Sequence, residues 1–548
     1  MGAFSRDKAY FKAIKNIIKK KRTVNLGIKG TDGEVKTTKE EVLVVWEKFN
    51  EDLYKNRDLT ENGPIETRNE ADIPEITFGE VKDAIRRMKK GKAHGVDMVS
   101  AELIKAGGPK MVNLITNMFN SIIKTGKVPD KMKVAEIVVI HKKGDTQDPK
   151  NFRPISLLSH FYKCYIMVIT KRIQNNLLGS IDESQAAYQE GRATTEHIIS
   201  LKSIIEKSCE YNRPCFMLFI DFIKAYDVVS HEALWKALET TDINKRYINI
   251  IKSCYKNAQA TIRTDQGKTR LINLGRGVKQ GCVASCYLFL VLLSVVMRNT
   301  KARLGEETGY EIGEKVVGDL GWADDLVFIQ ESEEKLQNFT KIYAEEAEKV
   351  GLKMNISKTK CMSTKGIPIK IQINNVFVEQ VSKYKYLGYT ITESGNDESA
   401  INERIGLGWA AFNNKKAIIK SRKCTMKVKK DIIETYIYPV VTYGLECATW
   451  TKALEEKLNV FQNKLMRISL DKTVMQKMPI QNLKEKTGFK DIFQIIKSSK
   501  INLFNKCSNH PGSTLKACVE GAVEGKRSRG RPKKRWLDDI KAWLRTEI

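Results

Sequence analysis

Two adjacent carboxylates, Asp324 and Asp325, fall inside an otherwise apolar stretch, Leu320-Gly321-Trp322-Ala323-Asp324-Asp325-Leu326-Val327-Phe328-Ile329. They stand where one short apolar strand turns into a second. Desolvating an unpaired carboxylate costs far more than a hairpin gains. A divalent cation removes that cost, and hard oxygen ligands suit Mg²⁺. An Asp-Asp turn that caps a hairpin is the plainer reading of this fragment. A third acid has a similar setting. Cys215-Phe216-Met217-Leu218-Phe219-Ile220 reads as a buried strand, rich in aromatics, and it ends on Asp221. Two-metal phosphoryl transfer needs carboxylates from separate rigid elements, bridging cations about 3.5–4 Å apart. Asp221, Asp324 and Asp325 can supply them. Asp227, one turn into the following helix-like segment, is expected to be structural.

These stretches resemble a known family. Phe219-Ile220-Asp221-Phe222-Ile223-Lys224-Ala225-Tyr226-Asp227 looks like motif A of the reverse transcriptases, and Trp322-Ala323-Asp324-Asp325 looks like motif C. Between them, Gly275-Arg276-Gly277-Val278-Lys279-Gln280-Gly281, running on to Leu288-Phe289, is similar to motif B. Upstream, Lys142-Lys143-Gly144-Asp145 and Asn151-Phe152-Arg153-Pro154-Ile155-Ser156-Leu157-Leu158 resemble the fingers motifs of LINE-type (non-LTR) retrotransposon polymerases. Gly91-Lys92-Ala93-His94-Gly95-Val96-Asp97 and Ser184-Gln185-Ala186-Ala187-Tyr188 do so too. Downstream, Gly351 to Asn355, Lys358-Thr359-Lys360 and Tyr386-Leu387-Gly388 are similar to motifs D and E. Each motif alone is weak. In this order and spacing, over about residues 75–395, the set is strong, and it resembles the polymerase part, without the endonuclease, of the jockey-like endonuclease–reverse transcriptase group.

Composition is consistent with this. A chain of 548 residues can hold two or three domains. A net charge of +29 favours a polyanionic partner. No membrane is expected: the longest apolar run, residues 287–297, is interrupted by Ser294 and is too short to cross a bilayer. It reads as a buried helix behind motif B. Residues 1–22 are charged throughout, unlike a secretory leader, and Arg6 stands where a myristoylation signal needs Ser or Thr. Eleven scattered cysteines point to a reducing compartment, hence an intracellular protein of nucleus and cytoplasm. Cys507, His510 and Cys518 cluster without a fourth ligand at suitable spacing, so ordinary thiols are expected over zinc.

The resemblance and the pattern together imply an α+β right-hand polymerase. Residues 1–74 would be a basic extension and linker, with a Lys-rich helix-like start and a polar stretch at 60–74. Fingers would span 75–215, the palm with its antiparallel sheet 216–395, a helical thumb 396–472 and a looser basic C-terminal region 473–548. Helical periodicity appears at Val81, Ile85 and Met88, and at Met111, Ile115, Met118 and Ile122. Residues 415–430 hold eight Lys/Arg and no acid: Lys415, Lys416, Lys420, Arg422, Lys423, Lys427, Lys429 and Lys430. Such a run suits a thumb gripping a duplex; a solvated helix face is the alternative. Residues 526–535 hold seven Lys/Arg, among them Arg529, Arg531, Lys533, Lys534 and Arg535. Gly530-Arg531-Pro532 resembles the AT-hook core, which inserts arginine into narrow minor grooves. A flexible phosphate-binding tail is the other reading, and Trp536, Ile540 and Trp543 suggest that the run feeds a docked amphipathic helix. Truncation near Glu524 is expected to weaken nucleic-acid binding and spare synthesis.

The resemblance implies an RNA-directed DNA polymerase: a primer 3′-hydroxyl attacks the α-phosphate of a dNTP. Asp221, Asp324 and Asp325 would hold two Mg²⁺, or Mn²⁺. Lys143 and Arg153 would hold the triphosphate, Arg binding two oxygens at once. Gln280 and Gly281 would lie against the nascent base pair, Gly allowing close backbone approach. Tyr226 would face the sugar and exclude rNTPs, unless it is a core tyrosine. Lys358 would be the general acid for pyrophosphate departure. Expected partners are an RNA template, a DNA primer or nicked target DNA, and an endonuclease acting from a missing upstream part or in trans, because about 74 upstream residues cannot contain one. The chain departs from the family at Trp322, usually Phe or Tyr, at Ala186-Ala187-Tyr188, where Gly-Phe is common after Gln185, and at Cys282 to Cys286, usually acidic and Pro-containing. Hence two further readings: an inactive or domesticated nucleic-acid-binding relic, and another right-hand polymerase such as an intron maturase.

Overall fold

A computed structural model describes residues 27–56, 72–305, 308–476, 478–509, 513–527, 530 and 532–545. The Lys-rich segment 1–22, most of the 60–74 stretch, His510, Arg529 and Arg531 lie outside the described residues. Contacts gather the chain into two units that it enters alternately: residues 1–173, 226–235 and 243–285, and residues 174–225, 236–242 and 286–548.

The first unit combines helices with a mixed sheet. The helix Phe78–Arg87 starts at a capping box, in which Thr77 and Glu80 satisfy each other's backbone N–H. Val81, Ala84 and Ile85 share its buried face. Arg172 fixes its start with a forked pair of bonds to the Glu80 carboxylate, 2.6 and 2.7 Å, and this guanidinium holds Glu80 down at about 2. The helix Gly108–Thr125 buries Val112, Ile115, Phe119, Ile122 and Ile123 and stops at Gly126. In the sheet, Ala135–His141 pairs antiparallel with Phe152–Leu157 and parallel with Gln259–Thr264.

The second unit holds a sheet ordered β2-β3-β1-β4-β5, with β1 Phe216–Ile220, β2 Asp319–Trp322, β3 Asp325–Gln330, β4 Lys360–Ser363 and β5 Glu379–Gln380. All pairs are antiparallel except β4 with β5. Every residue of β1 is buried, as an apolar run covered on both faces must be. The helix α1, Thr194–Tyr211, packs on β2; α2 is Val283–Leu304, and α3, Glu333–Lys349, packs on β3 and β1. Phe328 of β3 meets Phe339 and Tyr343 of α3 at ring distances of 4.5 and 4.8 Å. Phe219 of β1 stacks on Tyr384 at 4.2 Å.

Two expectations change. The apolar run at 287–297 belongs to a longer helix: α2 has 22 residues, enough by length and composition to cross a bilayer. Leu288 to Leu293 are nevertheless at most 2% exposed inside the protein. The C-terminal region is not loose. Helices Ile480–Thr487, Ile492–Ser508, Thr514–Glu520 and Trp536–Arg545 follow the helices Glu398–Ile419 and Lys452–Ser469. Ile492, Ile496, Leu515, Cys518, Trp536 and Ile540 are buried. Lys500 and Asp539, both fully buried, form a 2.6 Å ion pair that ties the last helix down.

Candidate active site

Antiparallel pairing sets the acids. Leu326 of β3 stands opposite Ile220 of β1, so the next register position brings Asp325 opposite Asp221. Asp324 lies in the two-residue turn between β2 and β3, preceded by Ala323 with a positive φ of +56°. On the other side of β1, Lys360 pairs with Phe219, which puts Lys358 in line with Asp221. Its Nζ is 3.4 Å from Asp221 Oδ2. The Asp221 backbone is held from the same side: its N–H donates to Thr359 Oγ1 and its carbonyl accepts from the Asn355 N–H at 2.7 Å.

The electrostatics are those of a crowded acid site. Lost solvation first, then repulsion from Asp324 and Asp221, pushes Asp325 up to about 6, though the residue keeps exposed surface. Asp221 Oδ2 is buried and accepts no hydrogen bond. A buried carboxylate oxygen without a hydrogen bond, its one ion pair being to Lys358, beside two more acids fits a divalent cation, because three acids outnumber that single ammonium. Among the described residues, no three His, Cys, Asp or Glu side chains form a metal-holding group by themselves. Mg²⁺ commonly takes only one or two carboxylates and completes its shell with water and substrate phosphates. A cavity of about 390 Å³ opens beside Asp325, lined by Trp322, Leu326, Tyr384, Leu387 and Tyr443 among others.

The remaining predicted residues lie in the first unit. Lys143 is exposed in the loop between Ala135–His141 and Phe152–Leu157, and Arg153 is exposed on the second of these strands. The Gln280 carbonyl accepts from Ser156 N–H of that strand at 2.9 Å, and its side chain donates to Asp227 Oδ1 at 2.9 Å. Gly281 has φ +112°, and a Cβ there would meet the Ser156 carbonyl oxygen at 3.0 Å. Tyr226, half-buried, accepts from Val278 N–H at 2.7 Å through its carbonyl. Asp227 is 3% exposed and also receives the Tyr54 hydroxyl.

Of the basic runs, Lys416, Lys420, Arg422, Lys423 and Lys427 are exposed, Arg422 in an ion pair with Asp471. Lys415 lies over the Tyr436 ring, and Lys430 is half-buried. Lys429 is a correction: it is buried, and its ammonium donates to the Ser469 carbonyl at 2.8 Å, so it braces the helices. Lys533 is exposed. Lys534 donates to the Trp450 carbonyl and pairs with Asp539, while Arg535 pairs with Asp538. Burial pushes the thiols of Cys507 and Cys518 up to about 11 and 12. Sequence reasoning gave no role to Thr359, Asn355 or Gln185, whose bonds hold the acid-bearing backbone. Gln185 lies inside a recognised motif, which was the available signal.

A strand-end acid facing a hairpin acid pair on a mostly antiparallel sheet defines a right-hand polymerase catalytic sheet. Residues 140–391 match the family described as "Reverse transcriptase (RNA-dependent DNA polymerase)". The chain's similar relatives are reverse transcriptase proteins of non-LTR retrotransposons. It is 28% identical over 303 residues to the Pol polyprotein of type-1 retrotransposable element R2 from Nasonia vitripennis, covering 53% of this chain and 29% of that protein. With the RNA-directed DNA polymerase from mobile element jockey of Drosophila melanogaster it shares 24% identity over 480 residues, 84% of this chain and 51% of that one. The probable RNA-directed DNA polymerase from transposon BS of the same fly is 25% identical over 425 residues, 73% and 45% of the two chains. Apo telomerase from Candida tropicalis is similar at a TM-score of 0.38 and 12% identity, covering 76% of this chain and 73% of that one. The chain spans about half or less of the length of the curated relatives it matches.

Proposed function

We propose that this chain is an RNA-directed DNA polymerase that extends a primer 3′-hydroxyl with dNTPs on an RNA template. The observation that carries this reading is the register that faces Asp221 with Asp325, next to Asp324, around a buried carboxylate oxygen with no hydrogen bond. Asp221, Asp324 and Asp325 would hold two Mg²⁺, or Mn²⁺, whose chemistry when bound is to acidify the attacking hydroxyl and neutralise the leaving oxygen. The new bond joins the primer 3′-oxygen to the α-phosphorus as the bond to the β-phosphate oxygen breaks. The hydroxyl proton leaves to water, and Lys358 gives the departing pyrophosphate its proton. Arg153 and Lys143 bind phosphate oxygens. Gln280 and Gly281 lie along the base pair, and Tyr226 meets the sugar. The helices from 396 to 472 act as the thumb, where exposed lysines hold the duplex backbone. A nicked or primed DNA end, made by an endonuclease in trans or by a longer form of the chain, supplies the 3′-hydroxyl. Eleven free cysteines support an intracellular setting, nucleus and cytoplasm.

Primer extension tests the reading. On an RNA template the protein is expected to add dNTPs with Mg²⁺ and to lose extension by about a thousandfold or more as Asp324→Asn. Undiminished extension by that variant overturns the site. Extension confined to rNTPs overturns the reading as a DNA polymerase.

A further inference from the structure

Ala323 begins the turn that carries the acids, and its φ of +56° is one that a residue with a Cβ adopts at a cost and glycine adopts freely. The buried amide of Gln185 grips this one residue twice. Its Oε1 accepts from the Ala323 N–H at 3.0 Å, and its Nε2 donates to the Ala323 carbonyl at 2.9 Å. Backbone bonds support the grip: Gly321 N–H donates to the Ser184 carbonyl and Ala186 N–H to the Gly321 carbonyl, both at 3.0 Å. The Gln185 side chain crosses Gly321 so closely that a Cβ there would lie 2.5 Å from Nε2. The segment is itself fixed, since Gln185 N–H donates to the Asp182 carbonyl at 3.0 Å and Asp182 N–H to Ser294 Oγ of α2 at 2.9 Å.

We propose that Gln185 is a positioning residue for nucleotidyl transfer, a two-pronged clamp that holds the Ala323 turn in its left-handed conformation and so sets Asp324 and Asp325 where cations bind. This rests on the polymerase reading. Both ends of this buried amide are taken up by the N–H and carbonyl of one residue at positive φ, which ties the side chain to the shape of that turn. Its removal leaves the N–H and carbonyl of Ala323 buried and unpaired, and the turn is then free to relax.

The test is Gln185→Met, which keeps length and volume and removes both bonds. For single-nucleotide extension, kcat is expected to fall about 10- to 100-fold, with KM for dNTP within about twofold. Adding Ala323→Gly should recover about tenfold, because glycine needs no clamp at positive φ. A core-packing role would not be rescued in this way. Terbium luminescence sensitised by Trp322 reads ion binding without synthesis: affinity should drop about tenfold in Gln185→Met and return in the double variant. Parent-like kcat and terbium affinity in Gln185→Met, or a loss that Ala323→Gly does not relieve, overturns the clamp. If Gln185→Met fails to fold, a folded double variant supports the clamp and an unfolded one overturns it. A parent that binds terbium but extends no primer defeats the polymerase reading, and the terbium comparison still judges the clamp.

Discussion

Trp322 and Ala187 both depart from the family pattern, and the structure brings them together. Ala187 is buried with Leu290 and Ala323, and the indole of Trp322 packs against this cluster while its edge meets His197 of α1 at 6.0 Å. Ala187 is 1% exposed, so the packing around the indole has no space for a larger side chain there. Ala187→Phe alone should therefore overpack the site and destabilise the fold by about 1–3 kcal/mol, and Trp322→Phe in the same chain should relieve most of that loss, as read by urea melts of the four proteins. At Tyr226 the expectation is steric. Tyr226→Val should raise rNTP incorporation about tenfold or more relative to dNTP; a ratio equal to the parent's would make Tyr226 a packing residue. Lys279, beside Gln280, allows a pH test. It is 4% exposed, donates to the Cys254 carbonyl at 3.0 Å and lies over the Tyr162 ring. Burial pulls its ammonium down to about 8. Unfolded lysine titrates near 10.4, so between about 8 and 10 the unfolded chain binds more protons and stability rises with pH. Lys279→Met removes this contribution. From about pH 7.5 to 10 the stability difference should shift in the parent's favour by about 2–3 kcal/mol.

The helix Trp536–Arg545 depends on one buried carboxylate. Asp539 accepts from Lys500 at 2.6 Å and from the Trp450 N–H at 2.8 Å. Asp539→Ala leaves the Lys500 ammonium buried without its counter-charge and should cost about 3–5 kcal/mol in thermal or urea unfolding. Removing residues beyond Glu524 takes away the same carboxylate. That truncation therefore unsettles the fold as well as the basic run and is not a clean probe of nucleic-acid binding. The difference shows what was legible in the sequence. Five apolar residues ending on an acid, and an acid pair inside an apolar stretch, identify a strand end and a hairpin because neither pattern suits another local structure. The C-terminal helices were not legible as a packed layer. Their buried faces include Lys500, and a lysine spent on a carbonyl reads in sequence like one facing water. Lys429 hid in its basic run for the same reason. The Gln185 clamp joins residues far apart in the chain, which periodicity cannot detect.

The whole molecule carries 94 Lys and Arg against 65 Asp and Glu. Such an excess makes affinity for nucleic acid depend steeply on salt. Replacing Lys416, Lys420, Lys423 and Lys427 by Gln should reduce the slope of log affinity against log salt by up to about 0.9 for each phosphate no longer neutralised. An unchanged slope would mean that these lysines face only solvent. The order of strands in the second unit also sets a clock on the chain's own synthesis. The strand β1 is central in its sheet, yet β3 emerges roughly a hundred residues later and β4 later still. At about 5–20 residues per second, Phe-Met-Leu-Phe-Ile waits roughly 5–20 s for its first neighbour. A short uncharged run of aromatic and aliphatic residues without proline is a template for association with other nascent chains during that wait. Yield should thus respond to translation speed through residues 221–330: slower codons there should divert more chain into aggregates, and ribosomes arrested beyond about residue 400 should carry chains more resistant to protease.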